Sequence, residues 1–177
     1  QLHVNYSSKA ENKIGNFKIE ILKANAPIFF DNYRKLLCIF SAFQLIKILT
    51  AESQKNFKIY GLIENFYILL KKENCIRNYI FWELELLKII GYDLELKNLV
   101  KKELINNEVK YLVKSTNENK IVPNFLIDND QDFLNEEILI DGLRLVGDYL
   151  EKSILKPNNI NYPLNRLRFL NTFKQSI

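Results

Sequence analysis

Between Asn32 and Ile90 apolar side chains recur at helical spacing with few interruptions, and this stretch restricts the fold more than any other part of the chain. Leu36, Leu37, Phe40, Phe43, Ile46 and Leu49 lie on one side of a helix predicted over Asn32–Leu49. Ile59, Leu62, Ile63, Phe66, Leu69 and Leu70 do the same over Lys55–Lys72, and Ile76, Tyr79, Ile80, Leu84, Leu87 and Ile90 over Asn74–Ile90. Each stripe must be covered by a neighbour, because an isolated helix cannot shield its apolar face from water. The connections are short, so the three helices are expected as antiparallel neighbours in a bundle. Gly91 follows at once; it tolerates the left-handed backbone that closes a helix. Gly61 costs a little helix propensity and is read as allowing close helix packing.

The flanks read differently. Leu2, Val4 and Tyr6 alternate with polar residues, as do Phe17, Ile19 and Ile21 beyond the turn signal Ile14-Gly15-Asn16. Residues 1–26 are therefore expected to end a β-domain whose other strands lie elsewhere, with Pro27 opening a helical domain over 27–177. The absence of Met from the chain suggests that Gln1 is not a natural start. After Gly91, Val109, Tyr111 and Val113 with Ile121 and Val122 predict a small hairpin insertion near 108–123, around a polar loop Ser115–Lys120 and closed by Pro123. A further helix is predicted over Asn135–Lys152 and a last short one over Leu164–Phe173, beyond Pro157 and Pro163. The fold class is mainly α. It is a helical bundle with a small β-hairpin insertion, preceded by the last strands of a truncated β-domain.

Five Gly and four Pro in 177 residues favour long helices over a turn-rich sandwich. No run approaches the roughly 18 apolar residues of a membrane span, and no basic-then-apolar leader opens the chain. No membrane association is expected, and the expected location is cytoplasmic. Cys38 and Cys75 both fall in apolar helical patterns; two buried free thiols are the expectation, with a structural disulfide as the alternative. With one histidine, His3, and no paired-cysteine motif, the usual zinc signatures are missing.

No convergent catalytic set can be assembled. Glu83 and Glu85 sit two residues apart on a helix and diverge by about 200°, so they cannot work as a carboxylate pair. Asp128, Asp130 and Asp132 are spaced as in a calcium loop, but the central Gly is missing and Leu139 stands at the twelfth position. An acidic loop leading into a helix N-terminus accounts for them better. Tyr79, Phe81 and Trp82 suit stacking on bases, and suit a core equally by their spacing. The chain is read as non-enzymatic, with no cofactor and no metal.

Charge is more telling in its distribution than in its net value of +4. Residues 1–92 carry 13 Lys/Arg against 8 Asp/Glu, residues 128–151 carry eight acids and one base, and residues 152–177 carry five bases and no acid. Such segregation suits a polyanion on one side and another partner elsewhere, or simply solvated helix faces. Candidate phosphate contacts are Lys9, Lys13 and Lys18 at the strand turn, Lys71, Lys72 and Arg77 at a helix junction, and Arg166, Arg168 and Lys174 on the last helix. Arg144, alone on an acidic helix, is the candidate for receiving an acidic peptide tail.

The segment FWELELLKIIGYDLEL, from Phe81 to Leu96, resembles the central helix of the RecO family of bacterial recombination mediators. The order of further segments is similar to that family: Tyr6, Lys9, Ile14, Gly15, Phe17 and Ile19-Glu20 on an exit strand, YLVKSTNENKIV from Tyr111, LRLVGDYLEKSIL from Leu143 to Leu155, and the basic YPLNRLRFL. The resemblance implies that residues 1–26 are the C-terminal remnant of an OB-fold and 27–177 the helical C-terminal domain. It further implies a mediator that binds single- and double-stranded DNA and the single-stranded-DNA-binding protein. With RecR it would help load RecA at gaps, anneal complementary strands, and act at the bacterial nucleoid. Leu99 stands where many members begin a zinc-binding cysteine set, and Tyr6-Ser7 stands in place of the family's tryptophan-arginine pair. A helical protein-interaction module with no direct DNA role is the alternative.

Overall fold

The computed structural model describes residues 1–10, 13–52, 54–105, 108–114, 119–128 and 135–174. The chain opens with an antiparallel hairpin, β1 (Leu2–Ser7) and β2 (Asn16–Ile21). A 3₁₀ turn, Ala26–Phe29, leads into α1 (Tyr33–Leu49), α2 (Phe57–Lys71) and α3 (Cys75–Ile89). A one-turn helix α4 (Leu96–Leu99) feeds a three-stranded antiparallel sheet of β3 (Val100–Ile105), β4 (Glu108–Lys114) and β5 (Asn119–Val122). The short α5 (Phe125–Asp128) and the long α6 (Glu136–Leu150) follow; a π turn extends α6 through Leu155, and α7 (Leu164–Lys174) closes the described chain.

Asparagine starts most of the long helices. Asn32, Asn56 and Asn135 each accept a backbone N–H of the first turn through the side-chain oxygen, at 3.0, 3.1 and 2.8 Å, satisfying donors that the helix itself leaves open. Gly91 ends α3 as expected. Its φ is +91°, the Tyr92 N–H reaches the Leu87 carbonyl at 2.8 Å, and the Gly91 N–H reaches that of Lys88 at 3.0 Å. This pair of bonds is the Schellman closure, and a side chain at Gly91 would be strained by the backbone rather than by neighbours.

The core joins α1, α2, α3, α6 and α7, with Cys38, Leu45, Phe66, Ile80, Leu86, Leu143 and Phe169 buried in it. Trp82 donates its indole N–H to the Leu62 carbonyl at 3.0 Å and Asn78 reaches Leu69, so α2 and α3 run antiparallel as expected. The Ser41 and Tyr79 hydroxyls meet at 2.7 Å in the buried interior, joining α1 to α3. Tyr79 and Trp82 are thus core residues, and the stacking reading of them is set aside; each ring is 1% exposed. Gly61 proves not to be a packing device, since a Cβ there would meet nothing within 4 Å.

The insertion is larger than the predicted hairpin. β3 pairs with β4, Val100 opposite Val113 and Ile105 opposite Glu108, and β4 pairs with β5, Tyr111 opposite Val122. β3 escaped the sequence reading because an edge strand exposed along most of its length needs no apolar alternation. Lys120, expected in the loop, belongs to β5. In the N-terminal hairpin, Leu2, Val4 and Tyr6 face Ile21, Ile19 and Phe17 across one side, and all six are exposed.

Candidate partner-binding groove and basic surface

A broad concavity lies between α6 and the β4–β5 pair, with a volume of about 1140 Å³. Its α6 wall is the stripe Ile138, Asp141, Leu145, Asp148, Tyr149 and Lys152, residues three or four apart and therefore on one side of the helix. The opposite wall is Val109 and Val113 of β4 with Ile121 of β5, and Leu94, Leu96 and Phe125 also line it. Phe125 can sit beneath α6 because Gly142 has no side chain; a Cβ there would come within 2.6 Å of its ring. Ile138, Leu145 and Tyr149 are half-buried, as expected of an apolar stripe with only one side covered.

The rim is charged and its cations are shared. Lys120 meets Asp148 across the groove at 2.9 Å, Arg144 meets Asp141 on its own helix at 3.0 Å, and Lys110 lies 3.8 Å from Glu108. All six side chains are substantially solvated, so each pair is worth about 0–1 kcal/mol and can be exchanged for an incoming carboxylate at small cost. Lys152 lines the same groove. Burial and then the neighbouring Asp93 push the Tyr149 phenol up, so it remains a neutral hydrogen-bond donor at physiological pH. Arg144 is thus placed on the rim of an apolar groove. Lys110, Lys120 and Lys152 went unnoticed in the sequence; the only available signal was the second apolar stripe on α6, which the tertiary fold had to place opposite the sheet.

The other candidates separate into groups. Lys9 and Lys13 are exposed at the hairpin tip; Lys18 is exposed on the polar side of β2, 3.3 Å from Glu20. Lys71 and Lys72 are exposed at the end of α2, while Arg77, partly buried on α3, lies 4.8 Å from the Phe81 ring centroid. Arg168 is exposed on α7. The hairpin base is held by the Lys23–Glu64 pair at 3.7 Å and by a bond from Gln1 to the Tyr60 hydroxyl. Six residues per strand put the tip about 20 Å beyond that base. The Lys174 side chain, Asp130 and Asp132 lie outside the described residues. Asp128 accepts the Tyr111 hydroxyl at 2.8 Å.

Arg166 is a correction. It is 0% exposed and all three guanidinium nitrogens donate inside the protein. Nε and Nη2 donate to the two Glu83 oxygens at 2.8 and 3.2 Å, Nη2 also donates to the Leu143 carbonyl at 2.9 Å, and Nη1 donates to the Tyr162 hydroxyl. Burial pulls its pKa down, but Glu83 together with the Tyr162 and Tyr79 hydroxyls outweighs that effect and holds it above the ordinary arginine range. A phosphate cannot compete for a group so enclosed. Glu83, read only as half of a non-functional carboxylate pair, is its fixed counter-ion.

Among the described residues no three His, Cys, Asp or Glu side chains cluster as a metal site, and no helix is long and apolar enough to cross a membrane. The fold and groove define a mainly helical domain with an inserted sheet and an apolar, charge-rimmed cleft. Its residues 31–159 match the family model described as "Recombination protein O C terminal", and the chain belongs to the RecO family. Relatives named DNA repair protein RecO include those of Rickettsia rickettsii (strain Iowa), 34% identical over 91 residues, and Rickettsia bellii (strain OSU 85-389), 32% identical over 90. The aligned stretch is 51% of this chain and 38% and 37% of those relatives, so the chain spans well under half of their length. No solved structure matches significantly.

Proposed function

We propose that this chain is the helical part of a non-enzymatic DNA repair and recombination mediator. In this reading it binds single- and double-stranded DNA and the single-stranded-DNA-binding protein. With RecR it helps load RecA at gaps, and it anneals complementary strands in the bacterial cytoplasm, at the nucleoid. Residues 1–26 are the end of an OB-fold; the uncovered apolar side of β1–β2 supports that assignment. Lys9, Lys13, Lys18, Lys71, Lys72, Arg77 and Arg168 supply phosphate contacts, and Arg144 receives a carboxylate of the partner's acidic tail.

The observation that carries the reading is the family match joined to the α6–sheet groove. Apolar walls rimmed by exchangeable cations suit a short peptide that is both hydrophobic and acidic. The test is anisotropy of a labelled acidic C-terminal peptide from the cognate single-stranded-DNA-binding protein, titrated with the chain. Saturable, salt-sensitive binding that weakens several-fold in Arg144→Ala and is abolished in Leu145→Asp is expected. Binding unaltered by both changes would move the peptide elsewhere, and no binding by the folded chain would remove this partner.

The dispersal of the candidate bases and the burial of Arg166 favour, as second reading, a helical protein-interaction module without a direct DNA role. Salt dependence separates the two: phosphate contacts make affinity fall steeply with ionic strength, and a module shows no DNA binding at any salt.

A further inference from the structure

Aromatic side chains stand on the solvent side of α1. The apolar period places Phe40 and Phe43 inward, yet the covered side of this helix is Leu37, Cys38, Ser41, Ala42 and Leu45. Tyr33, Phe40 and Phe43 are 64, 52 and 40% exposed. Tyr33, Phe40 and Lys47 are spaced by two helical turns, and Phe43 falls between the last two, so three rings and an ammonium share one stripe. The rings extend over about 15 Å of helix axis. Phe43 also lies 6.3 Å from Tyr67 of α2 between ring centroids, which ties the stripe to the edge of the core. A helix that is apolar on its solvated side as well as its covered side offers a face suited to a partner.

The neighbouring border of this face is α7. The Asn165 N–H donates to the Gln44 side-chain oxygen at 2.8 Å, and Phe169 meets Tyr79, whose hydroxyl is bonded to that of Ser41. With Asn165 beside Gln44 and Phe169 at the level of Ser41, α7 runs antiparallel to α1. Arg168 is exposed and three residues past Asn165, so it lies on the flank of α7 that borders the stripe near Phe40. Neither α1 nor α7 contains an aspartate or a glutamate. Of the acids around them, Glu136 is paired with Arg34 and Glu64 with Lys23, while Asp31 and Glu52 lie beyond the ends of α1. Among the described residues Lys47 and Arg168 enter no ion pair, unlike the shared cations Lys110, Lys120 and Arg144 of the groove rim.

We propose that this α1–α7 face is a stacking site for single-stranded nucleic acid, with unpaired bases on Tyr33, Phe40 and Phe43 and phosphates on Lys47 and Arg168. The site presupposes the DNA-binding reading above and adds the rings that its dispersed bases lack. Flat apolar rings accept any base face, and cations free of a neighbouring carboxylate attract the phosphates between the bases. A duplex keeps its base faces stacked on one another and offers the rings nothing, so the site favours single strands. An acidic peptide would meet the two cations but has no series of flat faces to cover three rings.

The test is anisotropy of labelled oligo-dT and of a duplex of matched length, each titrated with the intact chain over a range of salt. A second oligonucleotide carrying iododeoxyuridine is photocrosslinked to the chain and the adducts are mapped by mass spectrometry. Tighter binding of the single strand and crosslinks to Tyr33, Phe40 or Phe43 are expected. Phe40→Ala should weaken oligo-dT at least about fivefold with an unchanged salt slope, and leave duplex binding as it was. Lys47→Ala and Arg168→Ala should each lower the single-strand slope by about 0.7. Tyr33 is the most exposed of the three rings, so Tyr33→Ala carries the comparison if Phe40→Ala shifts the urea midpoint. Equal affinity for single strand and duplex, full oligo-dT affinity in the Tyr33→Ala, Phe40→Ala double variant, or crosslinks confined to other elements would overturn this site and leave DNA binding elsewhere on the chain standing. Absence of any DNA binding by the folded chain at low salt would remove the site and the DNA-binding reading together.

Discussion

Arg166 shows how a single residue can change its meaning with context. In the sequence it is one base in a basic tail; in the folded protein it ties α7 to α3 and α6 through Glu83 and the Leu143 carbonyl. Removing one member of a buried pair strands the other charge, which typically costs about 3–5 kcal/mol. Arg166→Ala is therefore expected to lower the urea midpoint sharply while leaving the salt dependence of any DNA binding unchanged. A joint Glu83→Leu, Arg166→Met replacement should cost far less than the sum of the single changes, because no charge is left unpaired. Equilibrium unfolding of the four proteins in the cycle measures this directly. A reduced salt slope in Arg166→Ala at full folding would reinstate it as a phosphate contact.

At the scale of elements, α6 is the member on which most of the architecture converges. Its inner side takes Phe125 at Gly142 and the Arg166–Tyr162 pair at Gly147, while its other side walls the groove. A methyl group at Gly147 would lie 2.8 Å from the Tyr162 oxygen and closer still to the guanidinium. Gly147→Ala should thus destabilise by about 1–3 kcal/mol through overpacking, even though alanine is the better helix former. The exposed Asn135 cap is a milder test of the same helix. Asn135→Ala removes the 2.8 Å bond to the Ile138 amide and should cost about 1 kcal/mol, read as a lower thermal midpoint with an unchanged spectrum.

Among the described residues, the exposed candidate phosphate contacts are distributed over the hairpin tip, the α2–α3 corner and α7. DNA that engages more than one of these places must follow the surface, and its affinity should fall with salt by about 0.7 per phosphate neutralised on a single strand in log–log terms. Joint replacement of Lys71 and Lys72 by alanine should reduce that slope by about one to two without altering stability. An unchanged slope would place the DNA path elsewhere.

The long helices and the Gly91 stop were legible because apolar period and left-handed glycine are local properties of the chain. The family was legible for a related reason: segments such as Phe81–Leu96 keep their order along the sequence whatever they contact. Which side chain meets which is not local. The burial of Arg166 depends on Glu83, distant in sequence, and the groove depends on α6 and β4–β5 arriving opposite each other. β3 left no mark because an exposed edge strand owes its existence to hydrogen bonds with β4 rather than to its own side chains. Sequence alone determined the class of fold and the helix limits; tertiary packing decided which charges are structural and which face solvent, since burial and pairing arise only when distant segments meet.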